Sequence, residues 1–292
     1  MAIEFVRVEA PAVREGVVRF FWEQQHWPGS SHDDYYRMWD WRYSSLSDGE
    51  PYVYIARVQG TDTIVGHIAV YPRRFQVGGV ELKVGVPGNL VVRPDYRNNV
   101  VGPRIVVFPR ALVRDGELDM VLAFANPAAH GLFVRLGFHD LGLMHTYSDV
   151  RKSAPLLRRR MRAAAGLGPL VDLALSLRRL LRTGRSKRAL GGLEVRPLTP
   201  EAFATSDRSH WTHPSDRLVA ADSTSYVVRR YLECPYAPRQ MYGLLDDSGR
   251  LEGYTILDEQ GRIIVWDCQV NHSRLREPLA ISMVASHLGV ET

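Results

Sequence analysis

Residues 52–126 constrain the fold most. Three strand-like runs follow one another, "YVYIARV" (52–58), "TIVGHIAVYPRRFQV" (63–77) and "VELKVGVPGNLVV" (80–92), with short polar or glycine turns at 59–62 and 78–79. Turns that short join antiparallel neighbours. The third run passes through "RPDYRNNVVG" into "PRIVVFPRALVRDG", which suits a helix although Pro109 strains its middle. A buried-strand pattern, "DMVLAFAN" (119–126), follows. A helix between two neighbouring strands is a crossover, so runs 80–92 and 119–126 are expected to lie parallel.

The flanks extend this core. "IEFVRVE" (3–9) reads as a strand, and Pro11 opens a helix to about Gln25 with Val13, Val17, Phe20 and Phe21 on one face. "SSHDDYYRMWDWRYSSL" is a second helix, with Ser31 or Asp33 as its cap. "PAAHGLFVRLG" is a short helix and "FHDLGLMHTYSDV" a last strand. The order β-α-α-β-β-β-α-β-α-β over residues 3–150 predicts an α/β domain, a mixed sheet with helices on both faces.

Composition bounds the class. An apolar fraction of 45% and a charged fraction of 24% are ordinary for a folded globular chain. No apolar run approaches the ~18 residues of a membrane span. Met1–Phe5 has no basic start, and two cysteines, Cys234 and Cys268, make no disulfide framework. The expected compartment is the cytoplasm. The net charge of +5 is unevenly spread: residues 151–192 carry twelve basic side chains against Asp172, a net of +11, leaving the rest of the chain at −6.

That basic, leucine-rich segment divides the chain. Three regions are expected: an α/β domain at 1–150, a basic helical linker at 151–192, and a smaller domain at 193–292. "VVRRYLECPYAPRQMYGLLDDSGRLEGYTIL" in the last region echoes "YYRMWDWRYSSLSDGEPYVYIARV…TIVGHIAV" in the first, each a helix, an aromatic patch, a strand, a turn and a strand. Residues 151–188 read as a solvated linker, as a basic face for an anionic membrane surface, or as a dock for an acidic acyl carrier protein. Missing aromatic interleaving there argues against nucleic acid.

The turn after strand 80–92 carries chemistry. The first N–H groups of a helix have no internal partner and its dipole favours an anion. Pro103 suits a first helical turn and Gly102 allows close backbone approach. Val92-Arg93-Pro94-Asp95-Tyr96-Arg97-Asn98-Asn99-Val100-Val101-Gly102 resembles motif A of the Gcn5-related N-acetyltransferase (GNAT) superfamily, V-x-P-x-x-[RQ]-x-x-G-x-[GA]. "NPAAHGLFVRLGF" (126–138) resembles its motif B through Asn126, Ala129, Gly137 and Phe138.

The resemblance covers roughly residues 3–150 and implies a GNAT fold and acyl-CoA as co-substrate. It implies that backbone N–H groups of Arg97, Asn98, Asn99, Val100, Val101 and Gly102 hold the pyrophosphate. Leu90, Val91 and Val92 would pair with pantetheine where two strands splay, an N–H near Leu90 would polarise the thioester carbonyl, and Asn126 would reach the cofactor arm. Three departures stand out: Val100 replaces the first loop glycine, Phe133 the motif B tyrosine, and Val86 the strand-four glutamate used as base in some members.

His145, Tyr147 and His67 are the remaining candidates for proton transfer, each also readable as an ordinary strand residue. Trp41 and Tyr43, with Trp39, offer flat faces to an acceptor or pack in the core. A tryptophan-rich second helix and a degenerate second GNAT-like half also loosely resemble bacterial acyltransferases of amino-sugar and polysaccharide pathways. "HWTHP" (210–214) has two histidines but no further ligand cluster, so no metal is expected.

The expected activity is acyl transfer from acyl-CoA to a small-molecule primary amine, such as an amino-sugar. The alternatives are a non-catalytic CoA-binding module and a FemAB-like aminoacyl transferase.

Overall fold

A computed structural model describes residues 2–45, 48–97, 101–142, 194–211, 215, 218–221, 223–236, 238–258 and 263–268. Two compact units divide the chain: Met1–Gly142 with His213–Tyr236, and Leu143–Thr212 with Ala237–Thr292.

In the first unit β1 (Ile3–Val8), β2 (Tyr52–Val58), β3 (Ile64–Val77) and β4 (Val80–Val92) form an antiparallel meander, and β5 (Met120–Val121) joins β4 in parallel. The fold is therefore the mixed α/β sheet that the pattern of strands and crossover implied. The strand expected at 119–126 is shorter than its apolar run. Pairing with β4 covers only Val84↔Met120 and Gly85↔Val121. Leu122 N still donates to the Gly85 carbonyl of β4 at 2.9 Å, and residues 123–126 then continue outside the ladder as a connection to α4 (Pro127–Arg135). Residues 138–142 form no strand, and the remainder of that expected strand lies outside the described residues.

Side-chain alternation builds two cores, one on each face of the sheet. Val53, Ile55, Ala69, Tyr71 and Val91 meet α1 (Ala10–Glu23) and α2 (His32–Ser45). Tyr54, Ala56, Ile68 and Val70 meet Ile105, Val106 and Leu112 of α3 (Val101–Arg114), with Phe133 of α4. α3 starts two residues before the expected Pro103. That proline still falls in the first turn, where its missing N–H has no helical acceptor to lose.

α2 is held at its start by a reciprocal cap. Ser31 Oγ accepts from Asp34 N at 3.2 Å, and Asp34 Oδ2 accepts from the N–H groups of Ser30 and Ser31 at 2.9 and 3.0 Å. These bonds hold the Asp34 carboxyl down to about 2. Tyr35, Met38 and Trp39 form the inward stripe of α2, at helical spacing. Trp41 is off that stripe yet only 8% exposed. Its cover comes from late in the chain: a helical turn, α6 (Thr224–Val227), runs into a π-helical turn at Val228–Leu232, and Trp41 Nε1 donates to the carbonyl of Arg229 at 2.8 Å. Tyr236 Oη donates to the carbonyl of Asp34 at 3.4 Å, Arg73 lies 3.5 Å from the Tyr226 ring centroid, and the two-residue strand β7 (Val219–Ala220) pairs with Phe75 and Gln76 of β3.

The second unit contains β6 (Glu194–Pro197), α5 (Pro200–Thr205), β8 (Arg239–Leu245), β9 (Leu251–Asp258) and β10 (Ile263–Cys268), paired in the order β6-β8-β9-β10, all antiparallel. Among the described residues the pairing order matches β1-β2-β3-β4 of the first unit, with the single helix α5 following β6.

Candidate functional site

The site forms where β4 leaves β5. Ala69 pairs with Gly88 and His67 with Val91, so one residue of β3, Ile68, faces two of β4, Asn89 and Leu90. This is a β-bulge. Asn89 takes a left-handed backbone (φ 52°), one of two non-glycine residues with positive φ among those described. Asparagine tolerates that region better than most side chains. Upstream, Gly85 sits where β4 and β5 last pair; a Cβ there would meet Leu118 Cδ1 at 2.5 Å and Val70 Cγ1 at 2.7 Å. A side chain there would overlap these two apolar groups, which glycine spares.

A buried polar network fastens the bulge. His67 Nδ1 is 2.9 Å from the Asn89 carbonyl oxygen, and His67 Nε2 is 3.0 Å from Tyr43 Oη. A carbonyl only accepts, so Nδ1 carries the proton and Nε2 accepts from the tyrosine hydroxyl. The Asn89 side chain is held as firmly. Its Nδ2 donates to Tyr71 Oη at 2.7 Å and Tyr43 Oη at 3.4 Å, while its Oδ1 accepts from Trp27 Nε1 at 3.3 Å and Arg42 Nη1 at 3.4 Å. The Phe21 ring closes on the imidazole edge-on, 4.8 Å between centroids.

Burial sets the protonation of this network. It pushes the His67 imidazole down to about 3, against a smaller opposing effect of the Asn89 carbonyl, so His67 is neutral at ordinary pH. It pushes the Tyr71 phenol up to about 12 and the Tyr43 phenol well up, so both keep their protons. His67 was expected as a proton-transfer candidate; here both its nitrogens are engaged in holding backbone and side chain.

The other expected residues divide between visible and undescribed. Leu90, Val91 and Val92 are on β4 at and after the bulge, on the strand whose outer edge β5 has left. Arg97 turns back, its Nε donating to the Val92 carbonyl at 3.1 Å. Val101 is buried at the start of α3, and among the described residues a Cβ on Gly102 would find nothing within 4 Å. Asn126 is exposed and caps α4, its Oδ1 accepting from Ala129 N at 2.9 Å. Trp41 and Tyr43 pack in the core. Phe133 is buried against Phe138, 5.0 Å between ring centroids. Asn98, Asn99, Val100, His145 and Tyr147 lie outside the described residues, as does the segment 151–192.

Asn89 and Tyr71 were missed from the sequence. The signal for Asn89 was present: a Gly-Asn pair inside a long strand marks a bulge. Nothing local marks Tyr71, because its role depends on what lies across the sheet. An open strand edge beside a fixed bulge, leading into a helix N-terminus, can accept an extended arm along β4 and an anionic group at α3. The parts present therefore fit acyl-CoA.

These features define a GNAT-like α/β fold. Residues 15–138 match the family described as "Acetyltransferase (GNAT) family". No curated protein matches the chain. A conserved protein of unknown function and probable N-acyltransferase from Enterococcus faecalis V583 is similar over 99% of this chain and 63% of its own, at 11% identity and a TM-score of 0.55. Glucosamine-6-phosphate N-acetyltransferase from Arabidopsis thaliana aligns with 51% of this chain and all of its own, at 16% identity and a TM-score of 0.40. An acetyltransferase from Trypanosoma brucei gives 51% and 100%, 19% identity and 0.39.

Proposed function

We propose that this chain transfers an acyl group from acyl-CoA to a primary amine, with an amino-sugar as the first acceptor class to test. The observation that carries the reading is the bulge at Asn89–Leu90, placed where β4 parts from β5 and upstream of the α3 N-terminus. The co-substrate supplies the activated thioester. Backbone N–H groups of residues 97–102 bind its pyrophosphate, Leu90–Val92 and Asn126 hold its arm, and a bulge N–H faces the carbonyl oxygen on which charge develops. The amine nitrogen bonds to the carbonyl carbon, the C–S bond breaks, and CoA leaves as a thiol. The proton that the amine gives up passes, through His145, Tyr147 or water, to the departing sulfur.

His67 serves this reaction as a positioning residue rather than as its base. The domains are read as an acyl-CoA domain at 1–150, a linker and a smaller GNAT-like domain. The closing of Trp41 by residues 223–236 supports a share for that last region in shaping the acceptor side. The basic segment 151–188 is left with its three readings: linker, anionic membrane face, or acyl carrier protein dock.

The test is CoA release on mixing acetyl- and longer acyl-CoAs with an amine panel, alongside calorimetry with CoA. Turnover with one CoA site per chain is expected. No CoA binding at millimolar concentration rejects the reading. The non-catalytic alternative is favoured by Phe133, buried where related motifs carry a tyrosine. CoA binding with no turnover of any amine would establish it.

A further inference from the structure

Arginines of the first unit are mostly neutralised. Arg14 pairs with Asp40 at 2.8 Å, Arg7 with Glu117 at 2.6 Å, and Arg37 with Asp34 at 2.5 Å. Arg42 and Arg230 differ. Both are half-buried, and no carboxylate among the described residues lies within ion-pair distance of either. They come from opposite ends of the sequence to the same indole: their guanidinium carbons are 5.5 and 5.1 Å from the Trp41 ring centroid.

The pair adjoins the bulge. Arg42 Nη1 reaches Asn89 Oδ1 at 3.4 Å, and its Nε lies 3.3 Å from Met38 Sδ. Both arginines act electrostatically on the Tyr71 hydroxyl, the group that accepts from Asn89 Nδ2. Two like charges held around one ring repel, and stacking on Trp41 offsets only part of that. Guanidinium groups bind carboxylate and phosphate oxygens in pairs of parallel hydrogen bonds, so an anion close to this indole would be attracted by both charges. The site is supplied by the two ends of the unit jointly: Arg42 from α2, and Arg230 from the π-helical turn that covers it.

We propose that the acceptor amine carries an anionic group, phosphate or carboxylate, which Arg42 and Arg230 bind beside Trp41 while the amine is presented to the bulge. This rests on the acyl-transfer reading above and names the class of acceptor within it.

Glucosamine, glucosamine 6-phosphate and glucosaminic acid share one amine and differ in charge, and ethanolamine with O-phosphoethanolamine gives a second, smaller pair. At saturating acetyl-CoA the anionic members should show KM values at least ~10-fold below their neutral partners, as expected for a charged contact of ordinary strength. The phosphate and carboxylate arms show which group the site prefers. Arg230→Met keeps the alkyl stem on Trp41 and removes the charge. It should raise KM for the anionic acceptor ~10-fold and leave the neutral one within ~2-fold, with Arg230→Lys between. Arg42→Met should do the same and also lower kcat, because Arg42 holds Asn89.

Calorimetric titration of the same five amines into the intact protein applies the test without turnover. Equal binding of neutral and anionic members, binding of none, or variants that weaken both members alike would overturn the proposal. A separate CoA titration reports on the acyl-transfer reading alone, so failure of one inference is distinguishable from failure of the other.

Discussion

His67 Nδ1 and the backbone carbonyl of Asn89 stand 2.9 Å apart across the bulge of β4. The histidine is fully buried and the asparagine carries the left-handed backbone. The bond thus ties the least favourable backbone conformation in the strand to the middle of the sheet. Removing it frees the bulge without touching residues 97–102, where the co-substrate's phosphates are proposed to bind.

His67→Gln should therefore lower kcat while leaving CoA affinity within a few-fold. A loss of ~10–100-fold is the scale for a reacting group displaced by about an ångström. Tyr43→Phe, which leaves the Nδ1 bond, should lose less. If His67 were the base, the pH–rate profile would lose a limb in the variant; the positioning role predicts a profile of unchanged shape and lower height. CoA affinity falling in parallel with kcat would count against it.

The same histidine makes stability pH-dependent. Its folded value, about 3, lies below the ~6.5 of an unfolded histidine. Between those values the unfolded chain holds the proton and the folded one does not. Stability consequently rises with pH through that window and is lost on acidification, with a slope of at most ~1.4 kcal/mol per pH unit from this one group. His67→Gln should flatten the dependence of the melting temperature on pH between about 4 and 6. An unchanged slope would show that the imidazole titrates normally in the folded state.

Gly102 and Gly85 should respond oppositely to one methyl group. At Gly102 the added Cβ meets nothing within 4 Å among the described residues. Gly102→Ala should leave the fold intact or gain up to ~1 kcal/mol. Gly102→Glu should fold equally well but abolish the thermal shift given by CoA, since it sets a negative charge at the phosphate end.

At Gly85 the Cβ would press on Leu118 and Val70. Gly85→Ala should cost ~1–3 kcal/mol by overpacking, read as a lower denaturant midpoint. A midpoint equal to that of the original protein would mean that Leu118 and Val70 give way to the added methyl without loss.

Much of this fold was legible because its strands are joined by tight turns. The runs at 52–58, 63–77 and 80–92 end at glycine or polar turns and pair as consecutive neighbours must. The start of α2 was legible from Ser31, whose cap depends on residues three apart. What failed to show was set by partners far along the chain. The apolar run at 119–126 reads as a full strand, yet β5 stops at Val121, where its pairing with β4 ends. His67 looks like any strand histidine until Phe21 and Tyr43 enclose it. Trp41 and Tyr43 read either as an acceptor wall or as core; both are buried, the first under residues 188 positions later.

That late cover has a consequence for how the chain is made. Synthesis runs from the N-terminus, and domains commonly fold as they emerge. The first unit cannot do so completely. When residue 142 leaves the ribosome, its sheet and both helical layers are present, but the indole of Trp41 and the edge of β3 at Phe75 still await residues 219–232. The entire intervening segment must be translated first. During that interval the nascent chain shows an uncovered tryptophan beside an unpaired strand end, the two features most apt to attract a chaperone or a neighbouring chain.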